Sequence, residues 1–257
     1  MLEIGFLGTG GAMSTPERDN TSFLFNSGRK IILVDCPGSA LQKVQKLGLN
    51  PKDVEAIVVT HIHPDHIYGL PAVFHSLMLD EGLIRVYGSE ESVQFCIRFL
   101  DLFGLRQPKF KTRAEFRAVA PGQDFSISEA TDVTAIQVTH HSSSLAYHFH
   151  LSGGIEFLYS GDTPAASSPI KRARSLDYLC HDCSSPSRFF EQYPVLYSMH
   201  TNSLELGRLA EEAGVKTLIP CHFFGEVEFS LKEIEEEVRQ NYRGRLLIPR
   251  DLERYSL

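Results

Sequence analysis

A chain of 257 residues with 42% hydrophobic and 22% charged residues has the composition of a globular protein able to bury a sizeable core, and one domain over 1–257 is the simplest division. Its net charge of -7 argues against a broad, sequence-independent grip on nucleic acid, which needs many cations to displace counterions from phosphates, but leaves room for a small phosphate ester. Five scattered cysteines, Cys36, Cys96, Cys180, Cys183 and Cys221, give no disulfide framework, and neither a signal-peptide core nor an apolar run of roughly 18 residues is visible. A cytoplasmic protein with no membrane partner is the resulting expectation.

In chain order, short apolar β-branched runs predict strands at 4–6, 23–25, 31–34, 54–60, 84–87, 133–139, 145–150, 155–160 and 217–221. Apolar spacings of three and four predict helices over 39–47, 68–79, 89–103, 204–213 and 231–241. The early strands follow one another as hairpins and the later ones alternate with helices, so the class is mixed α/β, with two stacked sheets and helices outside.

The strand at 54–60 runs into His61-Ile-His63-Pro-Asp65-His66, and the chain reads as helical from 67 onward. In an extended segment residues i and i+2 point the same way, so His61 and His63 can share one metal, while the turn into the helix re-aims Asp65 and His66 toward a second. Imidazole and carboxylate suit zinc, iron or manganese, and the lack of thiolates argues against a closed structural zinc site. A lone histidine is most often structural, but three in six residues beside an aspartate are not ordinary. Three more candidates, His140, Asp162 and His222, each follow the carboxyl end of a predicted strand, where side chains of a layered α/β protein converge.

Assembled, these residues resemble the metallo-β-lactamase superfamily, whose His-x-His-x-Asp-His signature stands at 61–66. Within it the chain is similar to ribonuclease Z and its relatives through Phe6-Leu-Gly-Thr-Gly-Gly11, Val34-Asp-Cys36, the stretch from Thr60 to Leu70, and Tyr159-Ser-Gly-Asp-Thr163, a likeness running from residue 4 to about 222. The resemblance implies a four-layer αββα sandwich and two divalent metal ions, zinc first, with manganese or iron as alternatives. It implies that His61, His63 and His140 hold one ion, that Asp65, His66 and His222 hold the other, and that Asp162 bridges them. His140 is singled out by the Ala146-Tyr147 pair that follows; His141 is the alternative. The family's proton-donor motifs match Asp182 and His200, with His200 as acid and Asp182 orienting it; the plain alternative is that both merely cap local structure.

The departures matter as well. Ribonuclease Z carries an RNA-gripping arm between the equivalents of His140 and Asp162, which here stand only 22 positions apart, and its Ser-x-Arg-Tyr stretch is replaced by Phe223-Phe-Gly-Glu226. Transfer RNA is therefore not the expected partner. The armless relatives that cleave small cyclic phosphates are the better template, and they imply a homodimer.

The expected function is a dinuclear metal-dependent phosphodiesterase acting on a small or cyclic phosphodiester or a short RNA. Two ions would bring the pKa of a bridging water toward neutrality, Asp65 and Asp162 would orient it, and His200 would protonate the leaving oxygen. The alternatives are a hydrolase of a lactone, thioester or lactam, since one core serves many reactions, and a non-catalytic metal-binding module. Gly8-Thr-Gly-Gly11 lacks the Gly-Lys-Ser/Thr of a phosphate loop and reads as a steric turn; Cys180 and Cys183 read as buried thiols; Arg106, Lys109, Lys111, Arg113 and Arg117 read as a solvated strand face; and His75, His148 and His150 read as structural or exposed.

Overall fold

The computed structural model describes residues 2–172 and 176–257. In chain order its elements are β1 (Glu3–Gly8), β2 (Ser22–Asn26), β3 (Ile31–Val34), α1 (Ala40–Lys46), β4 (Val54–Val58), α2 (Pro64–Ile67), α3 (Leu70–Leu77), β5 (Gly82–Gly88), α4 (Glu90–Leu102), β6 (Thr112–Ala118) and β7 (Asp124–Ser128), followed by β8 (Thr131–Gln137), β9 (Leu145–Leu151), β10 (Ile155–Tyr159), β11 (Tyr178–Asp182), α5 (Ser187–Gln192), α6 (Ser203–Glu212), β12 (Thr217–Cys221), α7 (Leu231–Arg239), β13 (Arg245–Leu246) and β14 (Arg254–Ser256). They fall into two compact units, one of Met1–Thr9, Pro16–Ala120 and Arg250–Leu257, the other of Gly10–Thr15 and Pro121–Pro249.

The first unit is built on a seven-stranded sheet in the order β14-β1-β2-β3-β4-β5-β6. The pairs from β14 to β3 are antiparallel, and those from β3 to β6 are parallel. The cause is the connections: a four-residue turn returns β2 to β3, whereas each later link carries helix, as a parallel crossover requires. Leu33, Ile57 and Val86 from three neighbouring strands join Val44, Phe74 and Leu100 from the helices in one buried cluster. Helix α4 starts where Ser89 Oγ accepts from Ser92 N at 3.2 Å, the N-cap bond that supplies one of the helix's orphan donors. The helix expected over 68–79 stands as α3 at Leu70–Leu77, and a separate helical turn, α2, precedes it at Pro64–Ile67. Pro64 opens α2 at its N1 position, where a missing N–H costs nothing. The break follows because Gly69 N is drawn off to Cys36 O at 2.9 Å and Pro71 has no N–H to give. Asp65 and His66 therefore sit within a helical turn rather than ahead of it.

The second unit repeats the plan with the order β13-β12-β11-β10-β9-β8-β7. Strands β7 to β10 form an antiparallel meander, and β10 to β13 run parallel. Its core gathers Leu158, Leu179 and Leu218 from three neighbouring strands with Leu206, Ala210, Ile234 and Val238 from α6 and α7. The β9–β10 hairpin pairs Leu151 with Ile155, leaving a turn of Ser152, Gly153 and Gly154. Both glycines take left-handed backbone, φ 81° and 75°, a conformation glycine adopts without steric penalty. The whole interval from His140 to Asp162 is consumed by this hairpin and its flanks, and no arm leaves it.

Strands β6, β7, β13 and β14 lie outside the runs read from sequence. Their side chains are largely polar or half-exposed, so the apolar alternation that marks a strand is weak in them. The buried β11 lies outside those runs as well, because its five residues end in His181 and Asp182. The basic stretch before and along β6 is a paired surface: Glu115 contacts both Arg85, at 3.3 Å, and Arg117, and Arg106 meets Asp101 at 2.8 Å.

Candidate functional site

In the first unit the chain leaves β4 through Val59 and Thr60 and delivers His61, His63, Asp65 and His66 within six residues. A fifth residue, Asp35 at the end of β3, organises them. It is fully buried and adopts left-handed backbone, φ 57°, a conformation uncommon for a residue with a Cβ and better tolerated by aspartate than by most. Its carboxylate accepts from Thr60 N at 2.8 Å, from Thr60 Oγ1 at 2.9 and 3.0 Å, and from His66 Nδ1 at 2.8 Å.

Proton counting then fixes the imidazoles. Asp35 can only accept, so the Thr60 hydroxyl proton goes to it, and the Thr60 oxygen accepts from His61 Nδ1 at 3.1 Å. His66 likewise spends its Nδ1 proton on Asp35. In the neutral form each ring then carries its lone pair on Nε2: that atom of His61 lies 3.0 Å from His63 Nδ1, and that of His66 lies 3.5 Å from Asp65 Oδ2. This is the carboxylate-oriented arrangement that metal-binding histidines use.

In the second unit the candidates come from separate strand ends. His140 follows β8, Asp162 follows β10, Asp182 ends β11 and His222 follows β12. His140 Nδ1 donates to Met199 O at 2.9 Å, leaving its Nε2 3.7 Å from Asp162 Oδ2. Burial holds His140 below the ordinary histidine pKa against the opposing pull of Asp162, which keeps that Nε2 available as a ligand atom. His222 Nε2 lies 3.1 Å from the same oxygen, and His222 itself has φ 66°. His141 faces its own loop, its Nδ1 at 2.9 Å from Ser143 Oγ and accepting from Ser143 N at 3.1 Å, so of the two adjacent histidines it is His140 that stands beside Asp162.

Beside these lies a buried dyad. His200 Nδ1 donates to Asp182 Oδ2 at 2.9 Å, and that oxygen also accepts from Thr163 N at 3.1 Å. Asp182 N in turn donates to Ser160 Oγ at 3.0 Å. The His200 ring is stacked on His222, 5.2 Å between centroids at 15°, and edge-on to Phe224 at 5.0 Å. Phe224 belongs to the stretch that sequence reading registered only as a departure from ribonuclease Z. Asp35 was likewise quoted there without a role, because neither its left-handed backbone nor its reach to His66 is written in the local sequence.

The donor chemistry fits divalent transition ions. Each unit offers imidazole nitrogens and carboxylate oxygens with no thiolate among them. The 3.0 Å between His61 Nε2 and His63 Nδ1 is near the roughly 3.4 Å that separates two nitrogens held at 2.0–2.1 Å by one tetrahedral ion. The five cysteines are all buried and free. Gly8 accounts for the glycine-rich turn by steric need, since a Cβ there would lie 2.0 Å from Asn20 O.

Comparison with known proteins places this architecture. A metallo-β-lactamase-fold protein of Bacillus subtilis, YhfI, shares 21% identity and superposes with a TM-score of 0.82 over 100% of both chains; a diphosphatase of the PhnP family shares 19% with a TM-score of 0.72 over 100% of this chain and 98% of that one. Among sequence relatives, Ribonuclease Z of Pyrococcus abyssi is 33% identical over 58% of this chain and 48% of its own length, and that of Methanosarcina acetivorans is 24% identical over 98% and 97%. The chain spans about half the length of the first of these. The fold is thus that of the metallo-β-lactamases, in the ribonuclease Z-like branch that the motifs imply. More narrowly, residues 2–223 match the family model described as Anti-Pycsar protein Apyc1, and the chain belongs to that family. No helix among the described residues is long and apolar enough to cross a membrane.

Proposed function

We propose that this chain is a metal-dependent phosphodiesterase acting on a small, cyclic phosphodiester. Its ligands are those the resemblance implies: His61, His63 and His140 for one divalent ion, Asp65, His66 and His222 for a second, and Asp162 shared, with zinc as the expected metal. When bound, such ions supply Lewis acidity toward a phosphoryl oxygen and acidify water near neutral pH.

The observation that carries the phosphodiester reading is the His200–Asp182 dyad. Asp182 is fully buried, accepts from Thr163 N and accepts a hydrogen bond from His200 Nδ1, so a proton that the ring gives to a leaving group would come from Nε2. Cleaving an unactivated phosphodiester expels an alkoxide, which needs such a proton in the transition state. A lactone or lactam hydrolase depends less on it. Phe224 and His222, flanking the His200 ring, restrict its rotation and its access to water. The β9–β10 turn of three residues favours a small substrate over an RNA that must be gripped far from the reacting atoms. Arg117 of β6 is occupied by Glu115 and Arg106 before it by Asp101, which agrees with that choice. A homodimer in the cytoplasm is the assembly and setting proposed with this reading.

The test is elemental analysis together with turnover of bis-p-nitrophenyl phosphate and of 2′,3′- and 3′,5′-cyclic nucleotides, with chelation and metal add-back. Two metals per chain and metal-dependent cleavage of a cyclic diester support the proposal. Two metals with hydrolysis confined to lactones, thioesters or lactams would overturn it in favour of a carbon-centre hydrolase, and two metals with no hydrolysis of any ester would leave a metal-binding module. Light scattering tests the dimer.

A further inference from the structure

One cluster on the sheet of the second unit has no part in that chemistry. His148 and His150 stand two apart on β9, so both side chains leave the same face of the sheet. On that face Glu156 of β10 is the direct cross-strand partner of His150, Thr134 of β8 is the partner of His148, and Asp124 of β7 is the partner of Thr134. Glu156 lies near the start of β10 and Asp162 beyond its other end, so the cluster and the candidate centre are set apart along the strand by roughly 10 Å or more.

The contacts in this cluster converge on one carboxylate oxygen. Asp124 can only accept, so Thr134 Oγ1 donates to Asp124 Oδ1, at 2.6 Å, and then accepts from His150 Nε2 at 3.1 Å. The other ring nitrogen of His150, Nδ1, lies 2.8 Å from Glu156 Oε2. His148 Nε2 lies 2.7 Å from the same carboxylate oxygen, yet it makes no aligned hydrogen bond although His148 is only 8% exposed. Burial, reinforced by neighbouring His150, holds the His148 imidazole below its usual pKa and so favours its uncharged form. Two imidazoles and a carboxylate thus converge on one small volume, where a divalent cation can take a lone pair from each. The three ligand atoms lie within 4.8 Å of one another.

We propose that His148, His150 and Glu156 form a further binding site for a divalent transition-metal ion of the zinc type, clamping β9 to β10. The donor set, two imidazoles and a carboxylate on a half-exposed surface, leaves a fourth tetrahedral position for water. The i, i+2 spacing on an extended strand is the same device that places His61 beside His63. Because the ion would bind the folded hairpin and not the unfolded chain, it would also stabilise the second unit by mass action.

The experiment strips the full-length protein of metal, dialyses it against zinc chloride, and counts zinc per chain in the wild type, H150A and E156Q. The expected result is one equivalent fewer in each variant than in the wild type, with unchanged diester turnover and a smaller zinc-dependent rise in melting temperature in both variants than in the wild type. Ring-nitrogen NMR of the wild type provides a check that needs no substitution: zinc should shift His148 Nε2 and His150 Nδ1. Equal zinc content in all three proteins, or resonances of His148 and His150 indifferent to zinc, would overturn the proposal. The comparison is a difference of one equivalent, so it reads the same whether the candidate centre of the preceding subsection holds two ions or none.

Discussion

The two units are built alike and present their ligands differently. Each sheet is antiparallel on one side and parallel on the other, and in each a carboxylate, Asp35 or Asp162, follows the strand that opens the parallel part. In the first unit all four ligand candidates then come from one six-residue loop oriented by a single buried carboxylate. In the second the three ligand candidates, His140, Asp162 and His222, come from three strand ends, with a backbone carbonyl orienting His140 and a carboxylate orienting the neighbouring His200. A local loop fixes its geometry through its own backbone, whereas the dispersed set depends on the register of the whole sheet.

The sharpest test of that contrast is removal of a ligand from the loop. His61→Ala should release metal and lower diester turnover by more than the roughly 10–100-fold seen when an outer partner of a metal ligand is lost, as read by elemental analysis and initial rates; two full equivalents of metal retained in this variant would refute the ligand assignment. In the second unit His200→Ala should cost about 10²–10⁴-fold in kcat, the usual worth of a positioned acid, with metal content unchanged, and Asp182→Asn should follow in the same direction. Turnover of His200→Ala equal to wild type would sink the phosphodiester reading.

A smaller effect probes the carboxylate behind the loop. In Asp35→Asn the amide would present donors where Thr60 Oγ1 and His66 Nδ1 now donate, pushing the His66 proton to Nε2 and removing that lone pair from service. Metal affinity should fall about 10–100-fold by competition with a chelator of known strength, while Asp35→Glu should not restore it, because the longer side chain cannot keep the present 2.8 Å bond to His66 Nδ1 from the same backbone. The smallest effect is expected at the thiols. Burial pushes Cys36 and Cys96 up to about 12 and raises Cys183 and Cys221 as well, so these four should resist iodoacetamide at pH 8 until the chain unfolds; rapid labelling of the native protein, read by mass spectrometry, would contradict their placement.

This contrast also explains what the sequence could disclose. His61, His63, Asp65 and His66 are legible because their spacing is itself the geometry. His140, Asp162 and His222 could be suspected as strand-end residues, but choosing His140 over His141 required a family template; the structure supplies the physical reason in the bond from His140 to Met199 O, 59 residues away. Asp35 and Phe224 stood in plain view in quoted motifs, yet their positions depend on contacts with distant segments that no local pattern encodes. Most buried strands and their helices are legible, since apolar periodicity reports burial; β11 is not, because its short run ends in His181 and Asp182. Nor are the edge strands, since burial is what they lack. His148 and His150 were read as structural or exposed because their partner Glu156 becomes a neighbour only through the hairpin.

The hairpin turn at Ser152–Gly154 has a wider meaning. Loop closure becomes costlier only slowly with length, by about 0.6 kcal/mol for each doubling, so the second sheet could carry a far longer excursion at this point for a few kcal/mol at most. The turn contributes none of the residues assigned to the chemistry. An insertion at this exposed connection would leave the residues assigned to the chemistry where they are, so a longer excursion could be added here independently of the reacting groups.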